Sequence, residues 1–415
     1  MGEVRRMPPR NGGQKPYREP RNRRPESPEA GRPSQRRGLR LKQQRLRPAR
    51  GHYDFPTLFL VLALVLIGNV MVFSSSYYYC LTNPDKFSSM YYFLARQMRW
   101  SLVGLVAMGV AMNFDYHKLR RLAAPGYVLS LLLLLLLWTP LGISENGSKR
   151  WLGYGSIRFQ PSEVAKIAVV LFLAHYILSH KGILNTFKGY VKCMVVLLIP
   201  TGLIALSNLS TAIIVLITGM VVIFVASPKF WYFPATVAPV AGLGLLMVKL
   251  PKFAYRMRRI TAWKDPFSDP TDTGYQIVQS LYAVASGGLF GLGLGQSRQK
   301  TFIPESYNDI IFAIICEELG LVGAVLVIVL FALLVWRGAR TAIRAADMYG
   351  SLVASGIIGM IGIQALINMA VVTNTIPNTG VPLPFISYGG TSLVFLLLSM
   401  GILLNISRYQ RGKAA

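Results

Sequence analysis

Long apolar stretches alternate with short polar ones along most of this chain. Apolar runs of about 18 or more residues predict transmembrane helices. Ten such runs can be drawn, at about 55–76, 93–113, 122–142, 162–180, 191–207, 210–227, 230–250, 308–336, 350–372 and 388–407. At ~1.5 Å per residue, about twenty residues cross a hydrocarbon core of about 30 Å. The eighth run exceeds that length and is expected to begin as a helix above the bilayer. The pattern therefore predicts an all-α membrane protein of about ten transmembrane helices, with a large external loop, residues 251–307, between the seventh and the eighth.

Composition sharpens this picture. The 415 residues are 53% hydrophobic and 15% charged, whereas a soluble domain carries charge on about a quarter of its residues. Residues 1–52 contain 16 Lys or Arg and four Glu. They are almost free of aromatics, so they predict a disordered basic tail. That leaves 53–410 as the transmembrane domain and 411–415 as a short C-terminal end. The tail has no apolar stretch that would serve as a cleavable signal, so the first span must direct insertion. Lys and Arg concentrate in alternate loops, which predicts that both termini are cytoplasmic. The external loop breaks this bias with Arg256, Arg258, Arg259, Arg298 and Lys300. Such cations suit an anionic substrate at the outer surface.

Charged groups inside spans are costly and mark candidate sites. Glu163 and Lys166 open the fourth span, three residues apart and thus on one helix face. They read either as a structural ion pair or as the wall of a cavity in which Lys166 meets a phosphate. Glu317 and Glu318 lie inside the eighth span and, being adjacent, should point in different directions. Asp309 stands at the mouth of that span, where its position alone suits a helix N-cap. All five groups converge on the outer half of the membrane.

Two loops add polar donors or unusual backbone. Residues 274–300 include Gln276, Gln279, five closely spaced glycines, Arg298 and Lys300. Glycines permit tight turns and close approach to a ligand. Residues 374–390 carry three prolines within eight residues, which forbids a continuous helix. The stretch is nevertheless fairly apolar and reads as a re-entrant segment walling an outer cavity. The three cysteines are far apart, and neither a metal-ligand spacing nor a nucleotide-binding fingerprint is present.

Four motifs, in order, resemble the SEDS family of peptidoglycan polymerases. They are Asn146–Trp151 with Phe159–Lys166, Gly274–Lys300, Pro304–Gly320, and Asn378–Gly390. The resemblance covers roughly residues 55–410, and the run Gly293–Lys300 is similar to division and sporulation members more than to the elongation member. Two positions depart from the family pattern. Leu206–Thr211 lacks a carboxylate that many members carry, and Tyr307-Asn308 replaces a common His-Thr before Asp309.

The resemblance implies polymerisation of lipid II at the outer face of the bacterial cytoplasmic membrane during division. It makes Asp309 catalytic. Lys166, Glu163, Arg158, Arg256, Arg258, Arg259, Gln276, Gln279, Arg298, Lys300, Glu317, Glu318, Ser387 and Tyr388 are the candidate substrate contacts. It also implies a class B penicillin-binding protein and other divisome membrane proteins as partners. No cofactor is implied beyond a divalent cation arriving with the pyrophosphate. The alternatives are an elongation or sporulation member of the family, and a lipid II flippase, which would need a polar path through the whole membrane. A pure scaffold would need none of these charged residues.

Overall fold

The computed structural model describes residues 51–145, 148–154, 157–234, 254–270 and 274–410, with 236 and 242. The tail, most of the run at 230–250 and the C-terminal end lie outside the described residues. So do the side chains of Arg256 and Arg258.

Nine long helices occur among the described residues: α1 (Phe55–Thr82), α2 (Tyr92–Asn113), α3 (Tyr116–Leu136), α4 (Pro161–Ser179), α5 (Phe187–Ala205), α6 (Leu209–Ala226), α9 (Ile311–Arg344), α10 (Met348–Val372) and α11 (Gly390–Ser407). Eight are long and apolar enough to cross a membrane. The ninth, α2, carries Arg96 and Arg99 near its start. Large apolar side chains such as Phe59, Leu102, Leu132, Leu326 and Leu366 are exposed on the outer helices. A patch of that extent suits a lipid solvent rather than water. Helices α4, α10 and α11 are the most buried, so they form the centre.

The third span begins and ends six residues before its expected position. Asp115 accepts a bond from the His117 N–H and starts α3 at Tyr116. The chain after α3 is then free to fold into a small antiparallel sheet of β1 (Gly142–Glu145), β2 (Ser148–Tyr154) and β3 (Ile157–Phe159), which hydropathy had not indicated. The loop after the seventh run also has structure. It contains α7 (Ala254–Lys264) and α8 (Tyr275–Ser286).

Helix α9 is broken at Gly320, whose φ of 65° and ψ of −164° leave the helical region. Residues 321–344 suffice to cross a bilayer, since 24 residues extend about 36 Å. The break frees main-chain groups that need partners. The glycine-rich loop supplies them. Leu292 and Gly293 N–H donate to the Glu317 and Glu318 carbonyls at 2.9 and 3.0 Å, and Leu321 and Val322 N–H donate to Gly288 and Leu289 at 2.9 and 3.1 Å. A Cβ on Gly291, at φ 80°, would collide with the Glu318 carbonyl and Gly320. These glycines therefore allow close approach to another main chain, where the sequence had suggested a ligand.

Candidate functional site

The starts of α2, α4, α9 and α11, the sheet, and residues 374–389 gather at one end of the bundle. Cross-links among them and to neighbouring helices establish this: Gln97 to the Ser387 carbonyl, Ser306 to the Ser75 carbonyl, Arg150 to the Ser207 carbonyl, Ser210 to the Thr379 carbonyl, and Ser392 to Glu163. Residues 374–389 form no helix. Left-handed backbone at Asn374, Gly380 and Phe385 lets them fold back. Gly68 of α1 receives the Phe385–Ile386 main chain where any Cβ would clash.

Asp309 lies half-buried in this end of the bundle. The N-cap position of α9 falls on Ile310, with no side-chain capping bond, so Asp309 does not cap the helix as its position had suggested. Its carbonyl accepts from the Asn368 amide at 2.6 Å, and the same amide reaches the Val381 carbonyl at 2.8 Å. Gly380, at φ 66°, places its α-carbon where a Cβ would sit 3.4 Å from Asp309 Oδ2. Burial pushes the Asp309 carboxyl up to about 6; its own backbone N–H pulls it down, Glu305 pushes it up and Arg259 pulls it down. Glu305 holds a left-handed backbone, and Asn308 closes the turn by donating to its carbonyl and carboxylate.

Arg259 of α7 donates to the Asn378 carbonyl at 3.2 Å, and Asn378 donates to Gln276 of α8 at 2.9 Å. Trp263 and Asn374 exchange a second pair of bonds. Helices α7 and α8 are thereby docked on residues 374–389 beside Asp309.

A family model described as "Cell cycle protein", covering FtsW, RodA and SpoVE, matches residues 56–412. The chain belongs to this family. It is 42% identical to stage V sporulation protein E of Bacillus subtilis (strain 168) over 363 residues, 86% of this chain and 98% of that one. It is 40% identical to the probable peptidoglycan glycosyltransferase FtsW of Geobacter sp. (strain M18) over 373 residues, 87% of this chain and 98% of that one. Among solved structures it resembles a chain from a peptidoglycan synthase complex, described as coordinating polymerisation and crosslinking, with a TM-score of 0.73 and 29% identity over 87% of this chain and 99% of that one. The rod shape determining protein RodA of Thermus thermophilus matches with a TM-score of 0.64 and 28% identity over 86% and 98%.

Not every residue expected to meet substrate is free to do so in this member of the family. Glu317 and Glu318 are fully buried and both hold the same loop, despite being adjacent. Glu317 accepts from Ser297 Oγ at 2.5 Å and from the Arg298 N–H at 2.9 Å. Glu318 accepts from Ser74, from the Ser297 N–H and from Lys300 Nζ at 3.1 Å. Lys300 is itself buried and also donates to the Gly295 carbonyl at 2.6 Å. These three side chains anchor the glycine-rich loop. Ser387 is likewise turned inward, accepting from the Leu383 N–H at 2.8 Å.

Glu163 and Lys166 form the ion pair their spacing allowed, at 3.0 Å and almost fully buried. Arg298 is exposed and Gln279 half-buried. Among the described residues no group of three or more His, Cys, Asp or Glu is placed to hold a metal.

Two cavities flank the re-entrant segment. One, of about 770 Å³, is lined by Arg96, Arg99, Arg158, Trp100, Trp151, Tyr388 and Thr391, among others. The other, of about 390 Å³, is lined mainly by Leu209, Ile213, Ile217, Ile260, Ile367 and Ile376, with Arg150, Arg259, Asn378 and Thr379. Arg96, Arg99 and Arg150 were not among the residues that the sequence singled out as substrate contacts. Two arginines at the start of an apolar helix were the signal for the first cavity.

The two departures from the family pattern also find places. Asn208 caps α6 and Ser210 holds the Thr379 carbonyl at 2.7 Å. Tyr307 packs into an aromatic cluster with Phe93, 4.3 Å between ring centroids, and edge-on with Tyr388.

Proposed function

We propose that this chain is a peptidoglycan glycosyltransferase that polymerises lipid II at the outer face of the cytoplasmic membrane during division, with both termini inside. The supporting observation is the setting of Asp309. A carboxylate whose pKa burial has raised to about 6 lies against Gly380, in a stretch of chain whose residues line two cation-bearing cavities. A general base works best when its pKa lies near the working pH.

In the reaction, the acceptor sugar hydroxyl attacks the anomeric carbon of the donor. Its proton passes to Asp309. The anomeric carbon–oxygen bond breaks, and its electron pair leaves with the isoprenyl diphosphate. Arg259 and nearby cations offset the charge that develops on that leaving group. A divalent cation would come bound to the diphosphate, as part of the substrate. The partner in this reading is a class B penicillin-binding protein, which would crosslink the emerging strand.

The test is polymerisation by the purified full chain supplied with lipid II and that partner. Glycan strands longer than a tetrasaccharide are expected. Transport of lipid II across vesicles without any strand formation would overturn the reading in favour of a flippase.

A further inference from the structure

The reaction proposed above joins two substrates of the same kind, and their diphosphates cannot occupy the same place. The donor's diphosphate is bonded directly to the carbon under attack. The acceptor's diphosphate lies two sugar rings away from the attacking hydroxyl. One anionic site must therefore adjoin the base, and the other must stand apart from it.

The two cavities differ in that way. The re-entrant segment lines both, with Thr379 on one side and Tyr388 and Thr391 on the other. Asp309 lies against Gly380, the residue after Thr379. Arg259 lines the smaller cavity and is the cation whose charge reaches Asp309. The walls of that cavity, Ile213, Ile217 and Ile367, are apolar and suit an isoprenyl chain. The larger cavity places Arg96, Arg99 and Arg158 beside Trp100 and Trp151. Guanidiniums bind diphosphate oxygens and indole faces bind sugar rings. Each cavity also includes a buried hydroxyl, Thr379 or Thr391, with no bonding partner among the described residues.

Resting on the polymerase reading, we propose that the cavity with Arg150 and Arg259 holds the donor's isoprenyl diphosphate, and that the cavity with Arg96, Arg99 and Arg158 holds the acceptor's. The growing strand then stays bound through its lipid end beside Asp309. Each new lipid II arrives at the tryptophan side of the re-entrant segment.

Two lipid II analogues test this on the purified full chain supplied with its transpeptidase partner. One lacks the terminal 4-hydroxyl and can act only as donor. The other carries a non-cleavable carbon link to its diphosphate and can act only as acceptor. Together they give a single joined product, so a KM is measured for each in turn. Arg259→Gln and Ile217→Trp should raise the donor KM by about tenfold or more, the scale of a lost charge-assisted contact, and leave the acceptor KM within about twofold. Arg96→Gln with Arg99→Gln should do the reverse. Arg259 and Arg99 are exposed, so these variants should keep the fold even if the tryptophan variant does not. If the unaltered chain fails to join the pair, the polymerase reading itself fails. If it joins them but Arg259→Gln raises the acceptor KM, or raises both equally, the assignment of the cavities is overturned.

Discussion

The side-chain amide of Asn368, on α10, donates a 2.6 Å hydrogen bond to the main-chain carbonyl of Asp309. It donates a second, of 2.8 Å, to Val381. One buried amide thus fixes the start of α9 and the re-entrant segment in a single register. Asn368→Leu keeps the volume but leaves two carbonyls without a donor. Thermal unfolding should show a loss of about 1–3 kcal/mol. The turnover number should fall by roughly tenfold to a hundredfold, because small misplacements of a reacting group are costly. Unchanged turnover in a destabilised variant would mean that the bond serves folding alone.

The buried pair of Lys300 and Glu318 should behave as scaffold. Removing one partner strands a buried charge, so Lys300→Met or Glu318→Ala should each cost about 3–5 kcal/mol. Replacing both with apolar residues should cost less than the sum of the two single changes. Additive losses, measured by thermal unfolding in detergent, would mean that the two side chains do not depend on each other.

Gly291 makes a separate prediction about the break in α9. At φ 80°, and against the Glu318 carbonyl, an added methyl group has no room. Gly291→Ala should lower stability by more than about 1 kcal/mol. It should also increase proteolysis within residues 287–300, because the loop would lose its pairing with Leu321 and Val322. A variant as protease-resistant as the original chain would contradict this account of the kink.

The pH dependence follows from the raised Asp309 pKa. In the proposed role of general base the carboxylate is the active form, so kcat/KM should rise with pH through an inflection near 6 and then level. The stability effect has the opposite sign. A carboxyl whose folded pKa lies above the ordinary 3.8 favours the folded state at low pH, and that contribution is lost as pH rises through about 6. Asp309→Asn should therefore be at least as stable as the original chain at pH 7.5. A variant clearly less stable at that pH would contradict the burial argument.

Much of this was legible in the sequence because hydropathy reports length and environment directly. Nine helices each overlap an apolar run, and the prolines and glycines of 374–389 do exclude a helix there. The shift of α3 was not legible, since apolar content says nothing of the Asp115 cap that sets its start. The sheet at 142–159 was hidden for a related reason: short strands leave little periodicity. The pairing of Glu163 with Lys166 followed from helical spacing, whereas the joint task of Glu317 and Glu318 did not. Adjacent helix positions diverge, but a loop that folds over a broken helix can meet both. Asn368 gave no signal, because a polar residue beside an apolar run is uninformative until its partner is known.

The central claim is that Asp309 removes the proton from the acceptor hydroxyl. The most direct test is the initial rate of lipid II polymerisation by Asp309→Asn, purified with its transpeptidase partner and checked for an unchanged unfolding temperature. Loss of a general base should lower the rate by about 10²- to 10⁴-fold. A folded Asp309→Asn chain that polymerises at close to the original rate would contradict the account and shift the role to another carboxylate at this end of the bundle, with Glu305 first.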